Sequence, residues 1–156
     1  TPAEGRPSSA PDAHSLLELY RRLCRQQASK PNSSIIGMLK AVERGALVEE
    51  VDLSLTLVGI RGLGLVLPLL PHLPHLRSLN VSNNSLDNTV LPALAETCAQ
   101  LPNLQRLELS GNPLVSDAHH LKRLLNRRPE VVIRVDRTAI SAGELRNVHR
   151  GQPTVL

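Results

Sequence analysis

The sequence predicts an α/β fold in which short parallel strands alternate with helices. A pattern of apolar residues recurs about every 28 residues, and apolar residues at helical spacing lie between the recurrences. Leu fills 30 of the 156 positions, whereas Phe and Trp are absent. The length allows one compact unit with a real core, and we expect aliphatic side chains to build that core.

The recurring pattern is clearest in residues 76–86 and 104–114. Both segments read L-x-x-L-x-[LV]-x-x-N-x-L, and they start 28 residues apart. Related segments start at Val48 and at Glu130. Of the 16 places in the four apolar columns, 15 hold Leu, Val or Ile, whereas random placement would fill about five. This periodicity predicts four strands, with the following buried centres: Val51, Leu79, Leu107 and Ile133.

Two helices are predicted before the first strand. Ser15 and Glu18 have the spacing of a capping box, and apolar residues follow at helical spacing, which predicts a helix over about Ser15–Gln27. A second helix is predicted over Ser34–Arg44, with Ser33 or Ser34 as its cap and Gly45 as its left-handed end.

The segments between the predicted strands are predicted to be helices. Positions nine and six residues before each first column are apolar or small: Leu39 and Val42, Leu67 and Leu70, Ala95 and Cys98, Leu121 and Leu124. Pro68 predicts an irregular or short helix in the first of the repeats. Ser141 and Glu144 form a second capping box, which predicts a final helix over about Ala142–His149.

These features divide the chain into four parts. Residues 1–14 are rich in Pro, Gly and Ser and are expected to form a flexible leader. Residues 15–45 form a helical N-terminal cap, residues 46–150 hold the repeats, and residues 151–156 form a tail.

Residues 33–150 resemble the leucine-rich repeat family, in its ribonuclease-inhibitor-like class, because of the two matching segments above. The resemblance implies a short right-handed solenoid with parallel strands inside, helices outside and a helical cap at its N-terminal end. It also implies that Asn84 and Asn112 turn inward to bond backbone, and that Thr56 and Thr138 take that place in the outer repeats. Glu130 departs from the apolar column of the last repeat.

A second resemblance lies near the start of the chain. Tyr20, Leu23 and Cys24, followed by Pro31-Asn32 and an apolar helix, are similar to the start of leucine-rich repeat proteins of centrosomes, cilia and flagella. This resemblance implies a cytoplasmic protein that is associated with the cytoskeleton.

Residue types that support catalysis are present, but not in catalytic patterns. Cys24 and Cys98 fall on apolar faces and are expected to be buried thiols, which favours a reducing compartment. No histidine has a zinc-ligand spacing, and no glycine cluster matches a nucleotide loop. The sequence therefore predicts no enzyme activity, no metal and no cofactor, and it contains no apolar run long enough for a membrane helix.

The remaining candidate for function is the surface. The net charge of +4 falls between Asp117 and Arg150. Residues that point outward from the strands, together with the basic end, are the predicted partner-binding residues: Asp52, Asn80, Arg106, Glu108, Arg127, Arg128, Arg134 and Arg137. Glu108 and Arg134 lie on neighbouring predicted strands and are expected to pair across the ladder.

The sequence therefore favours a non-enzymatic protein-interaction module in a cytoskeletal scaffold, centrosomal or flagellar. One alternative is a regulator of a small GTPase or another enzyme. Another is weak nucleic-acid binding through the basic end, although the near absence of aromatic stacking residues argues against it. The last strand has no successor, so self-association through the C-terminal end is a further expectation.

Overall fold

A computed structural model describes residues 13–54 and 58–146. The chain divides between residues 47 and 48 into two compact units, whereas the sequence prediction placed the boundary between residues 45 and 46. Four predicted features lie wholly or partly outside the described residues: most of the leader, Thr56, the end of the predicted final helix at residues 147–149, and the tail at residues 151–156.

The first unit contains two helices, α1 (Ala13–Gln26) and α2 (Ser33–Glu43). Helix α1 begins two residues before the predicted cap, Ser15, which is a common difference at a helix end. The cap of α2 is Asn32 instead of the predicted serines, because its Oδ1 accepts hydrogen bonds from the backbone N–H groups of the second and third residues after it.

The loop between the two helices is fixed by a tyrosine. The backbone N–H of Asn32 donates to the hydroxyl of Tyr20 at 2.9 Å, and the Tyr20 ring is buried beside the thiol of Cys24. Gly45 ends α2 with a φ of +96°, which confirms the predicted left-handed position.

The second unit contains a four-stranded parallel sheet. Its strands are β1 (Glu50–Asp52), β2 (Ser78–Asn80), β3 (Arg106–Glu108) and β4 (Val132–Arg134), and they lie side by side in chain order. The four predicted strand centres are in register and are 0–3% exposed. The sequence columns therefore correspond to the rungs of the sheet.

Helices connect the strands, as the spacing predicts. They are α3 (Gly59–Val66), α4 (Leu91–Ala99), α5 (His119–Arg127) and, after the last strand, α6 (Ala142–Arg146). Helix α3 stops before Pro68 and continues as a 3₁₀ segment, Leu67–His72, which confirms the predicted irregularity. Helix α6 begins with the predicted capping box, in which the Glu144 N–H donates to Ser141 Oγ and the carboxylate accepts from the Ser141 N–H.

Two positions of the repeat pattern are wrong by one residue. Leu114 is 65% exposed, and the next residue, Val115, is fully buried in its place. Glu130 is exposed and pairs with Arg128, whereas the next residue, Val131, is 3% exposed. In both cases the next residue along the chain supplies the buried apolar side chain. The core is therefore continuous, although the sequence pattern is interrupted.

Candidate functional site

One face of the sheet carries polar side chains in rows, most of them exposed or half-buried, whereas Ser82 and Ser110 are buried. Side chains on either side of each buried strand centre point away from the core, because successive residues of a strand alternate in direction. We call the following residues the polar face: Glu50, Ser78, Arg106, Val132, Asp52, Asn80, Glu108, Arg134, Ser54, Ser82, Ser110 and Asp136. Val132 is the one apolar side chain among these twelve.

Hydrogen bonds along each strand hold the middle row of the polar face. Asp52 accepts from the backbone N–H and the hydroxyl of Ser54, at 2.9 and 2.6 Å, and these bonds hold the pKa of Asp52 below its usual value. The amide oxygen of Asn80 accepts the same pair of bonds from Ser82, at 3.0 and 2.6 Å.

The same arrangement continues on the last two strands. Glu108 accepts from the hydroxyl of Ser110 at 2.8 Å, and Arg134 pairs with Asp136 at 3.2 Å. These side chains are held by their own strands before any partner arrives, so binding would cost less side-chain entropy than on a mobile surface.

The expected ion pair between Glu108 and Arg134 is wrong. The two residues are neighbours in the register of β3 and β4, but each has a nearer partner two residues along its own strand. The partner two residues along the strand is favoured because the backbone already holds the two residues close together. A pair across the ladder would have to order two long side chains, which costs more conformational entropy.

The charge of the polar face differs between its two sides. Glu50 and Asp52 make the β1 side acidic. On the β3 and β4 side the exposed Arg106 and Arg134 are balanced by two carboxylates, Glu108 and Asp136. Arg137 follows β4 as an exposed residue with a φ of +57°. The face therefore presents to a partner an acidic side and a side where arginines and carboxylates balance.

Two of the predicted partner-binding residues lie away from the polar face, at and just after the end of α5. Arg127 is exposed and pairs with Glu96 of α4 at 3.0 Å. Arg128 is only 15% exposed; its guanidinium donates to the carbonyls of residues 101, 102 and 104 and pairs with Glu130 at 2.6 Å. Arg128 therefore holds the loop before β3, and little of its side chain is available to a partner.

Replacing Arg128 by alanine is expected to lower the free energy of unfolding by about 1–3 kcal/mol, because it leaves carbonyls of a partly buried loop without their donor. The matched control, Arg127→Ala, removes an exposed pair and is expected to cost about 0–1 kcal/mol. Urea unfolding of the two variants measures both values. Equal losses of unfolding free energy in the two variants would show that Arg128 does not stabilise the loop before β3.

Two asparagines join neighbouring repeats through their backbone. Asn112 Oδ1 accepts from the N–H groups of Asn84 and Leu86, both at 3.0 Å, and its Nδ2 donates to the carbonyls of Val81 and Leu109. Asn84 in turn donates to the carbonyl of Leu53 at 2.8 Å. These bonds link successive turns of the pattern at a spacing of 26 to 31 residues.

Thr138 fills the corresponding position in the last repeat with local bonds only. Its hydroxyl donates to the carbonyl of Val135 at 2.7 Å and accepts from the N–H of Ile140 at 3.1 Å. A hydroxyl is shorter than an amide and carries one donor, which the local bond to Val135 uses.

Asn88 is a residue that sequence reasoning missed. Its amide accepts from the backbone N–H groups of Ser116 and Asp117 and donates to the Ser116 hydroxyl, at 2.9 to 3.0 Å. It begins the 3₁₀ segment Asn88–Val90 that leads into α4, and it joins this segment to the loop before α5. The equivalent position 28 residues earlier is Ile60, so the repeat pattern contains no signal for this role.

Two clefts adjoin the polar face, and they share Arg106 and Val132. One, of about 360 Å³, follows the start of the strands and is also lined by Glu50, Arg77, Ser78 and Gln105. The other, of about 410 Å³, lies at β4 and is also lined by Ile133, Arg134, Val135, Asp136 and Leu145. A third cleft, of about 220 Å³, lies between α4 and α5 and includes the Glu96–Arg127 pair.

The two thiols are part of the core. Cys24 and Cys98 are free and 0–1% exposed. Burial raises the pKa of the Cys98 thiol to about 12, so this thiol is not activated as a nucleophile at neutral pH.

The folded protein is expected to lose stability above about pH 9. The pKa of Cys98 is higher in the folded state than its ordinary value of 9.0. The contribution of this thiol to the free energy of unfolding is therefore fully present below pH 9, and it declines at higher pH because the thiol ionises in the unfolded chain. By pH 10 the loss is about 1 kcal/mol from this group. Burial also raises the pKa of Tyr20, to about 12, which adds to the loss above pH 10. Urea unfolding midpoints from pH 7 to 10 measure the decline in stability. The Cys98→Val variant is expected to show a smaller decline over this range. The same decline in the variant and the wild type would contradict the role of Cys98.

The described residues hold neither a metal-binding cluster nor a membrane-spanning helix. His119 and His120 meet edge to face with ring centroids 5.1 Å apart. Within residues 13–54 and 58–146, no group of His, Cys, Asp or Glu is arranged to hold a metal ion. In the same part of the chain, no helix combines the length and apolar character needed to cross a bilayer.

Comparison with known proteins adds two relatives. Over 125 residues, which is 80% of this chain, it is 32% identical to photoactivated adenylate cyclase subunit alpha from Euglena gracilis. It is 31% identical over 125 residues to the photoactivated adenylate cyclase subunit alpha-like protein FB of the same organism. The chain spans 12% of the length of each relative, so the similarity concerns one segment of them.

The family comparison concerns the centre of the sheet. The Leucine Rich Repeat family matches at residues 75–96 and 103–124. Each match covers one strand, the turn after it and most of the next helix: β2 with α4, and β3 with α5. Two leucine-rich repeats are thus present in this chain, which supports its place in the leucine-rich repeat family.

Proposed function

We propose that this chain is a non-enzymatic protein-interaction module, and that the polar face of its sheet is the binding surface. The observation that carries the proposal is the set of polar side chains that are held by bonds along their own strands. A surface of this kind meets a partner with little loss of side-chain entropy, and the contrast between its acidic β1 side and its charge-balanced β3–β4 side orients that partner. The leucine-rich repeats support the same role.

The proposal includes the finer architecture. The repeats form a short right-handed solenoid of the ribonuclease-inhibitor-like class, with residues 15–45 as its helical N-terminal cap. The module works in the cytoplasm, as part of a centrosomal or flagellar scaffold, and the two buried free thiols support a reducing compartment. A fluorescent fusion that concentrates at neither structure would contradict the scaffold assignment.

Affinity capture tests the binding role. The wild-type chain and a double variant of the polar face, Asp52→Lys with Glu108→Lys, are each used to capture proteins from a cell extract, and the captured partner is then purified and titrated. Arg61→Glu, an exposed change on α3, is the matched control. We expect the control to retain the partner and the double variant to lose it. Equal retention by all three proteins would contradict a role of the polar face.

Regulation of an enzyme is the second candidate, and the two cyclase subunits among the relatives favour it. In this case the module is one segment of a larger protein and acts on an attached or bound catalytic domain. A cyclase assay separates the possibilities: the isolated chain is expected to form no cyclic AMP from ATP, and an enzyme regulator would change the rate of a cyclase when added to it. Turnover of ATP by the chain itself would contradict the non-enzymatic assignment.

A further inference from the structure

The outer edge of β4 has backbone groups without a strand to bond. In the parallel pairing with β3, the N–H of Val132 donates to Gln105 and the carbonyl of Arg134 accepts from Leu109. Residues of a strand alternate in direction, so the N–H and carbonyl of Ile133, between them, point away from β3. β4 is the last strand of the sheet, and within residues 13–54 and 58–146 no other strand lies beyond it.

A cleft follows this edge. The cleft of about 410 Å³ is lined by Arg106, Val132 and Arg134 from the polar face and by Ile133 and Val135 from the core side. A cleft that touches both faces of one strand must run along the edge of that strand. Leu145 of α6 lines the core side, so the cleft is cationic on one side and aliphatic on the other.

The charges decide which kind of chain fits the cleft. Arg106 and Arg134 contribute two positive charges, and Asp136, which pairs with Arg134 at 3.2 Å, contributes one negative charge, so the lining has a net charge of +1. A second copy of this chain on the same edge would bring its own arginines against these two, a like-charge contact that edge strands use to prevent self-pairing. An acidic segment instead complements the net positive charge of this lining.

We propose that the β4 edge binds an extended acidic peptide, in which Asp or Glu alternates with aliphatic residues. The peptide adds a fifth strand to the sheet. Its backbone bonds to Ile133 and to the N–H of Val135, its carboxylates face Arg106 and Arg134, and its aliphatic side chains face Leu145. This inference rests on the proposed interaction role and names one site and one partner chemistry for it.

The test uses the full chain and a labelled, end-capped peptide of seven residues in which Asp or Glu alternates with Val. Fluorescence anisotropy at low salt measures its binding. Charge reversal with Arg106→Glu and Arg134→Glu is expected to weaken binding roughly tenfold or more, and Arg61→Glu, with the same change of charge on α3, is expected to leave it unchanged. A peptide with Lys at the acidic positions, and one N-methylated along the pairing edge, are expected not to bind.

Hydrogen exchange of the complex distinguishes this site from the rest of the polar face. The amides of Ile133 and Val135 are expected to gain protection when the acidic peptide binds. Protection at other strands, or binding that survives N-methylation, would overturn the strand-addition site and leave the interaction role standing. A dimer in sedimentation that protects the same amides would assign the edge to a second copy and also overturn the proposal. Absence of peptide binding, with a captured partner still bound through Asp52 and Glu108, would remove this inference alone.

Discussion

Replacing Leu107 by alanine is expected to lower the free energy of unfolding by about 2–5 kcal/mol. Leu107 is the centre of β3, it is fully buried, and its strand pairs with β2 on one side and β4 on the other. The loss combines the transfer of a leucine side chain out of the core with the cavity that remains, and neighbours on two paired strands have little freedom to fill that cavity.

A matched control for this substitution exists in the same repeat. Leu114 occupies an apolar column in the sequence, but its side chain is 65% exposed. Leu114→Ala is therefore expected to change the free energy of unfolding by no more than about 0.5 kcal/mol. Chemical unfolding monitored by circular dichroism measures both variants. If Leu107→Ala melted like the wild type, or if both variants lost the same stability, the assignment of the buried column would be wrong.

Replacing Asn112 by alanine is expected to cost about 2–6 kcal/mol, which is the sum for two buried N–H groups that lose their acceptor. These are the N–H groups of Asn84 and Leu86, and both lie within the core-facing turn. The carbonyls of Val81 and Leu109 lose a donor in the same step. The volume change is smaller than for Leu107, so most of the loss is expected to come from unsatisfied polar groups.

Asn126→Ala is the matched control for Asn112, because Asn126 is exposed on α5. It is expected to change stability by no more than about 0.5 kcal/mol. Urea unfolding gives both values, and hydrogen exchange locates the effect: the amides of Asn84 and Leu86 should lose protection in Asn112→Ala before the rest of the sheet does. Unchanged protection at these two amides would contradict the structural role of Asn112.

The strands and their register were predictable from sequence because burial in a repeat is periodic. Val51, Leu79, Leu107 and Ile133 share a column in the alignment and a rung in the sheet. Leu114 and Glu130 show the limit of this reasoning. A column of the alignment gives the residue type at one position, but the residue next to that position can also place its side chain in the core. Val115 and Val131 are buried in this way.

Side-chain partners of the polar face were less predictable. The rows of the polar face follow from the alternation of side chains along a strand. Whether Glu108 bonds to Ser110, and Arg134 to Asp136, depends on local geometry. Arg128 shows the same limit more clearly. Its position in a basic segment suggested a binding role, and only its distances to the carbonyls of residues 101–104 identify it as a residue that supports a loop.

The hydrogen-exchange footprint of a captured partner tests the central proposal most directly. The chain is measured alone and in complex with that partner. Binding through the polar face predicts new protection in residues 50–54, 78–82, 106–110 and 132–136, with little change in α3, α4 and α5. Protection concentrated on those three helices, with the four strand segments unchanged, would contradict the account.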